Sequence, residues 1–215
     1  MVRKSLFIVL SAVVVLSVSV VGWAQDVWKW NEFNADYERF YYESVTYTSS
    51  WDWELGEEVE IEVKTGQLLE LRKVDDEYTE VTQGHTVLTP TAELKDQLSF
   101  LGGFFSLSSA FSSSMWISES MMLGMFAQDL ELEVGNTMQL FDGSRIRVLD
   151  EVTVAGIKGY LVRRFRRETD EEGNRVDILT SEWVIAPNVG WPLDVKIYQE
   201  DKLVYQMTLK EYERR

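Results

Sequence analysis

One stretch constrains this chain more than any other: residues 98–127, LSFLGGFFSLSSAFSSSMWISESMMLGMFA, in which Glu119 is the only charge. It holds Met115, Met121, Met122 and Met125, four of the seven methionines, with Phe100, Phe104, Phe105, Phe111, Phe126 and Trp116. On both sides the sequence is acidic and alternates with the period of a β-strand. Apolar surface of this extent has to leave water, so a sheet, a partner or a ligand must cover the stretch. Two readings follow: plain core, or a cover over a concave sheet that holds an apolar guest. Methionine is unbranched and polarisable and suits repacking around variable guests. The breaks at Gly102-Gly103 and across the serine-rich run 106–114 would let such a cover open, whereas a rigid core favours leucine, isoleucine and valine. On the cover reading the ligand-lining residues are Leu98, Leu101, Phe104, Phe105, Met115, Trp116, Met122, Met125 and Phe126.

Residues 1–24 have the layout of an export signal. Arg3 and Lys4 form a basic end, residues 6–21 an uncharged apolar run, and Gly22 and Ala24 the small residues before a cut at Gln25. The rival is an uncleaved anchor, although the run falls short of the ~20 residues that span a bilayer. Residues 25–215 then form one domain, with no Pro/Gly/Ser linker to divide them. The chain has no cysteine, which excludes disulfides, thiolate metal sites and a cysteine nucleophile. Its formal charge of −15 argues against general nucleic-acid binding and against resting on an anionic membrane, and it keeps an aromatic-rich protein soluble. An exported chain without cysteine or a glycosylation sequon points to a bacterial periplasm.

Taken in order, residues 26–41 read as a short helix capped by Asp26, because Trp30, Phe33, Tyr37 and Tyr41 recur at helical spacing. The period then becomes two. Strands are expected at 40–47, 59–64, 68–74 and 78–81, with a further short one ending near Leu88, and with turns at Thr65-Gly66-Gln67 and Asp75-Asp76-Glu77. Pro90 opens a helix capped by Thr89, and a second helix is expected over 114–128, so that a helical insert occupies about 90–128. Strands resume at 130–134, 137–141, 145–154, 157–169, 175–186, 193–199 and 203–212, joined by short turns that imply pairing in sequence order. The fold class is mainly β with a helical insert.

Chemistry is sparse. His85 is the only histidine, so a metal site or a Ser-His-Asp triad would have to use it, and no G-x-S-x-G elbow supplies a serine. Asp170-Glu171-Glu172-Gly173-Asn174 places glycine too early for a calcium loop and reads as a hairpin turn. No cofactor is implied. Arg163, Arg164, Arg166 and Arg167 form the one basic cluster. Cross-strand pairing with carboxylates such as Glu58, Glu60 and Glu62 is one reading, and a phosphate or lipid headgroup held at a cavity rim is the other.

In the second half, Val134-Gly135-Asn136-Thr137, the run 151–160 (EVTVAGIKGY) and the run 182–195 (EWVIAPNVGWPLDV) resemble the periplasmic lipoprotein carriers of the LolA and LolB type and related uncharacterised periplasmic families. The resemblance covers residues 130–212. It implies a curved antiparallel sheet or half-barrel whose concave apolar face is lidded by helices and receives acyl chains. The resulting expectation is a non-enzymatic periplasmic carrier for a lipid or for lipoprotein acyl chains, with lipoprotein sorting to the outer membrane as its process. The alternative is an envelope assembly protein whose apolar insert docks on a partner.

Overall fold

Alternating sequence becomes strand wherever a neighbour can complete the backbone hydrogen bonds. The computed structural model describes residues 26–30, 32–53, 55–87, 124, 130–169 and 172–215. Among the described residues nine strands form: β1 (Tyr37–Asp52), β2 (Glu57–Lys73), β3 (Thr79–Val87), β4 (Thr137–Gln139), β5 (Arg145–Val154), β6 (Ile157–Thr169), β7 (Arg175–Ile185), β8 (Asp194–Gln199) and β9 (Lys202–Arg214). Two of the tight turns use backbone of positive φ. Ala155 and Gly156 link β5 to β6 at φ 49° and 80°, and Glu200 and Asp201 link β8 to β9 at 49° and 63°. Positive φ at both central residues gives a turn whose twist matches that of the strands it joins.

All nine strands lie in one antiparallel sheet, in the order β3-β2-β1-β9-β8-β7-β6-β5-β4. Two meanders, β1–β3 and β4–β9, are joined along β1 and β9, and among the described residues β3 and β4 are the outermost strands of an open sheet. The chain leaves one edge at Val87 and is next described as a continuous run from Leu130, beside the opposite edge. Residues 88–129 therefore connect the two edges.

The sheet curls. Residues of β5 and β9 approach within 8 Å between Cα atoms although β6, β7 and β8 lie between them. A flat sheet would hold those strands ~19 Å apart. Register shifts at Tyr41/Tyr42, Val148/Asp150, Arg164/Phe165 and Ile197/Tyr198 supply the bends, as extra residues on one strand do. Residues 26–30 and 32–36 form a strap that packs on the sheet. Val27 bridges to Glu131, the Trp28 indole Nε1 donates to the Val189 carbonyl at 2.9 Å, and the Trp30 ring tilts against Trp191 at 4.8 Å.

Several expectations change here. Residues 26–41 are not a helix. Tyr37 and Tyr41 belong to β1, whose alternation buries Glu38, Phe40, Tyr42 and Ser44, and pairing with β2 and β9 outweighs the helical spacing of the aromatics. Thr65-Gly66-Gln67 is no turn but the middle of β2. A methyl on Gly66 would collide with the Thr86 hydroxyl and the Tyr41 ring, so the glycine permits close cross-strand packing rather than a bend. Residues 130–134 are a single bridge and a turn. Among the described residues Gly124, which packs against Trp30, is the one helical position and no helical element is formed, so helices lidding the sheet are not supported there; the rest of the insert at about 90–128 lies outside the described residues.

Candidate functional site

One row of side chains crosses the inner face from strand to strand. It runs Val148, Val162, Trp183, Val195, Met207, Ser44 and Thr65, each directly opposite the next. Residues directly opposite in an antiparallel pair share a face, so this row is a section through the concavity. From β5 to β9 it is apolar and buried, joined by Ile146, Ile185, Leu193 and Ile197. The Trp183 indole Nε1 is buried there without a hydrogen-bond partner.

At β1 the row turns polar. The Ser44 and Thr65 hydroxyls are 2.7 Å apart, and the Gln67 amide donates to Ser44 Oγ at 3.3 Å and to the Tyr205 hydroxyl at 3.4 Å. Burial raises the Tyr205 pKa against the pull of the Ser44 and Gln67 hydrogen bonds, so the phenol stays neutral and serves as a hydrogen-bonding wall. On the other face of the same strands a cavity of ≈ 350 Å³ is lined mainly by Tyr41, Glu43, Val45, Lys64, Gly66 and Thr86. Polar groups along an inner face orient a guest; the one sequence signal for them is that Ser44 falls in the alternating phase of Phe40 and Tyr42.

A second buried polar group lies at the end of β1. Glu38 is 1% exposed, accepts a hydrogen bond from the Tyr212 hydroxyl at 2.9 Å and faces Arg214 Nε at 3.5 Å, while its other oxygen has no partner. Burial raises its pKa, outweighing the hydrogen bond from Tyr212 and the charge of Arg214. In return the Tyr212 hydroxyl is pushed up to about 12, by burial first and then by Glu38. Arg214 also donates to the Asn188 carbonyl at 3.0 Å, which ties the last strand to the loop before β8.

The residues singled out from sequence fall as follows. Leu98, Leu101, Phe104, Phe105, Met115, Trp116, Met122, Met125 and Phe126 lie outside the described residues, as does the leader. His85 is exposed on edge strand β3, opposite Gln67. No group of three or more His, Asp or Glu close enough to hold a metal ion occurs among the described residues. Gly173, at φ 86°, sits at the tip of the β6–β7 hairpin. Each arginine of the cluster has a carboxylate, but none is Glu58, Glu60 or Glu62. Arg163 pairs with Glu182 at 2.8 Å, Arg164 with Asp142 at 2.6 Å, Arg166 with Glu168, and Arg167 with Asp177 at 3.5 Å. Burial alone would raise the Asp142 pKa; the hydrogen bonds from Ser144 and Arg164 overcome it and hold the carboxyl below its ordinary value.

No family model matches the chain, and no curated protein matches it. Among solved structures, a Bacteroides fragilis protein with a YmcC-like fold, whose name suggests export, is similar over 89% of this chain and 100% of its own length, at 8% identity and a TM-score of 0.29. A DUF1329 family protein from Desulfovibrio piger is similar over 84% of this chain and 86% of its own, at 9% identity and a TM-score of 0.22. Likeness at this level assigns no function and does not establish the resemblance to the LolA-type carriers; the open antiparallel sheet is the part of that expectation the structure shares.

Proposed function

We propose that the protein is a non-enzymatic binding or carrier protein for a hydrophobic ligand, a lipid or the acyl chains of a lipoprotein, acting in the periplasm or outside the cell once residues 1–24 are removed. One observation carries this reading. A single open sheet presents on its inner face a row that is apolar from β5 to β9, and the chain that joins its two edges contains the nearly uncharged stretch 98–127. The sheet's own side chains fill the curl between β5 and β9. A guest would therefore lie toward β1–β3, where the row becomes polar at Ser44, Thr65 and Gln67 and where Val81 is 55% exposed. Each methylene moved from water to such a surface contributes roughly 0.8 kcal/mol, enough for an acyl chain to bind without a strong polar contact. The lid-side residues of 98–127 belong to this reading as expectations from sequence. Outer-membrane lipoprotein sorting is the process it fits.

The test is lipid extraction of protein purified from its native envelope, with mass spectrometry of the extract, and uptake of a fluorescent fatty acid. Co-purified lipid and saturable uptake are expected. A clean extract with no uptake would remove the carrier reading. The assembly reading is favoured by the exposed tip of the β1–β2 hairpin, where Trp51, Trp53 and Leu55 are uncovered. Replacing Met122 and Phe126 by charged residues separates the two: loss of lipid uptake at unchanged oligomeric state supports the carrier, and dissociation of a complex into folded monomers supports assembly.

A further inference from the structure

The β1–β2 hairpin reaches beyond the sheet that carries it. β9 pairs with β1 only as far as Thr46, and β3 pairs with β2 only from Thr65 onward, whereas β1 and β2 continue paired from Tyr47↔Glu62 to Asp52↔Glu57. Among the described residues this end is a two-stranded ribbon with no third strand, ~20 Å long at strand rise. Such a ribbon is marginal in water on its own. Its tip nevertheless exposes Trp51 at 52%, Trp53 at 88% and Leu55 at 66%, with the two indoles edge to face at 6.3 Å. Glu58, Glu60 and Glu62 lie opposite Trp51, Ser49 and Tyr47, on one face. Lys64 pairs with Glu62 at 3.3 Å, and Glu58 and Glu60 form no ion pair among the described residues.

The outer face of β5 and β6 is the counterpart. Arg145, Arg147 and Arg167 share a single carboxylate, Asp177, at 3.4–3.5 Å. Arg163 and Lys196 share Glu182. Arg147 and Arg163 are direct cross-strand partners, an arrangement that costs stability for like charges. The Arg147 guanidinium lies over the Phe165 ring at 5.2 Å. Both charge rows follow strands, so Glu58, Glu60 and Glu62 repeat at the same ~7 Å as Arg145 and Arg147. Within one chain the rows cannot meet along the sheet: five strand spacings, ~24 Å, separate β2 from β6.

We propose that the acidic ribbon of one copy docks on the arginine face of a second copy, with carboxylates on guanidiniums and the Trp51–Trp53 tip against Arg147 and Phe165. Charge complementarity selects this occupant: a net charge of −15 makes the copies repel one another in general, and among the described residues these two surfaces are complementary. The contact joins unlike surfaces, so it propagates head to tail or closes into a ring.

Sedimentation velocity across a concentration series tests it. The unaltered chain should self-associate. Glu58→Arg with Glu60→Arg should weaken association by about tenfold or more, and so should Arg145→Glu with Arg147→Glu. An equimolar mixture of these two variants should associate again through the exchanged charges. Trp53→Ser, which alters no charge, should weaken the unaltered chain. Circular dichroism checks that each variant is folded, and Arg167→Glu replaces the double arginine variant if that one is not. A chain monomeric at every concentration overturns the proposal, as does a mixture that fails to associate. A monomer that co-floats with phosphatidylethanolamine vesicles through Trp53 assigns the tip to a membrane and overturns it equally.

Discussion

Between β5 and β9 the inner face carries Ile146, Val148, Val162, Trp183, Val195, Ile197 and Met207, none more than 4% exposed, whereas the same rows continue on β2 and β3 as Thr65, Gln67, His85 and Val81, the last of them 55% exposed. One half of the sheet has curled far enough to serve as its own second layer. The other half buries Phe40, Tyr42, Leu69 and Leu71 but sets polar or uncovered inner positions beside them, and β3 is its outermost strand among the described residues. A sheet buries its apolar face only against another layer, so the first half supplies the stability and the second is free to serve binding. That division should appear first in stability. Met207→Ala leaves a cavity at the centre of the filled half and should cost about 2–5 kcal/mol in urea unfolding. Val81→Ala on the exposed edge should fall within about 0.5 kcal/mol. Similar losses at both positions would erase the contrast.

Glycines sharpen it. On Gly159 in β6 an added Cβ would sit 2.7 Å from the Ile185 carbonyl oxygen and 3.2 Å from Leu193 Cδ1 and Val184 Cγ1. Backbone cannot yield as a side chain does, so Gly159→Ala should cost about 1–3 kcal/mol. On Gly84 in β3 the nearest atom is Leu68 Cβ at 3.7 Å, an ordinary contact. Gly84→Ala should be neutral or stabilise by about 0.4–1 kcal/mol, through loss of unfolded-chain freedom. Thermal unfolding of the two variants checks both signs.

The sequence made the filled half nearly transparent. β5 and β6 have the bounds that alternation and the Ala155-Gly156 turn predict, because a two-residue turn of positive φ fixes register outright. The first half was harder to read. Aromatic residues at 30, 33, 37 and 41 satisfy a helical period by coincidence of two environments, a strap and an outer strand face. Gly66 looked like a turn because composition does not tell a bend from a close packing contact. The seam beginning at Ser44 was missed for a related reason: hydroxyls and amides signal solvent in a sequence, and only the fold shows that three strands bring them together. The arginines were placed correctly in a strand, but pattern within one segment says nothing about which strands are neighbours, so Glu58, Glu60 and Glu62 were the wrong partners.

Acid should expose two opposite contributions. Asp142, on the filled side, has a folded pKa below its ordinary 3.8, because Ser144 and Arg164 favour the ionised form over the opposing effect of burial. Its stabilisation is present above pH 3.8 and lost as pH falls through the folded value. Glu38, at the seam between β1 and β9, is raised above its ordinary 4.5 by burial. The folded state then holds its proton more tightly than the unfolded chain, so stability declines as pH climbs from 4.5 through the folded value. Melting temperatures across the acid range should therefore fall less steeply toward low pH for Asp142→Asn than for the unaltered chain. Glu38→Gln should remove the decline above pH 4.5. The same slope in both variants would mean that neither group is linked to folding.

The smallest effect belongs to the ribbon. Trp53 is 88% exposed and among the described residues its ring meets Trp51, itself half exposed, so removing the indole takes little apolar surface out of the folded state that water did not already reach. An indole of this size is costly to leave in water unless something else covers it. Trp53→Ser should change unfolding free energy by no more than about 0.5 kcal/mol, as for other surface substitutions. A loss of 2 kcal/mol or more, of the order a buried tryptophan gives, would show that the hairpin tip is covered within its own chain, and the ribbon would then belong to the stabilising half of the molecule rather than to the surface that it offers to others.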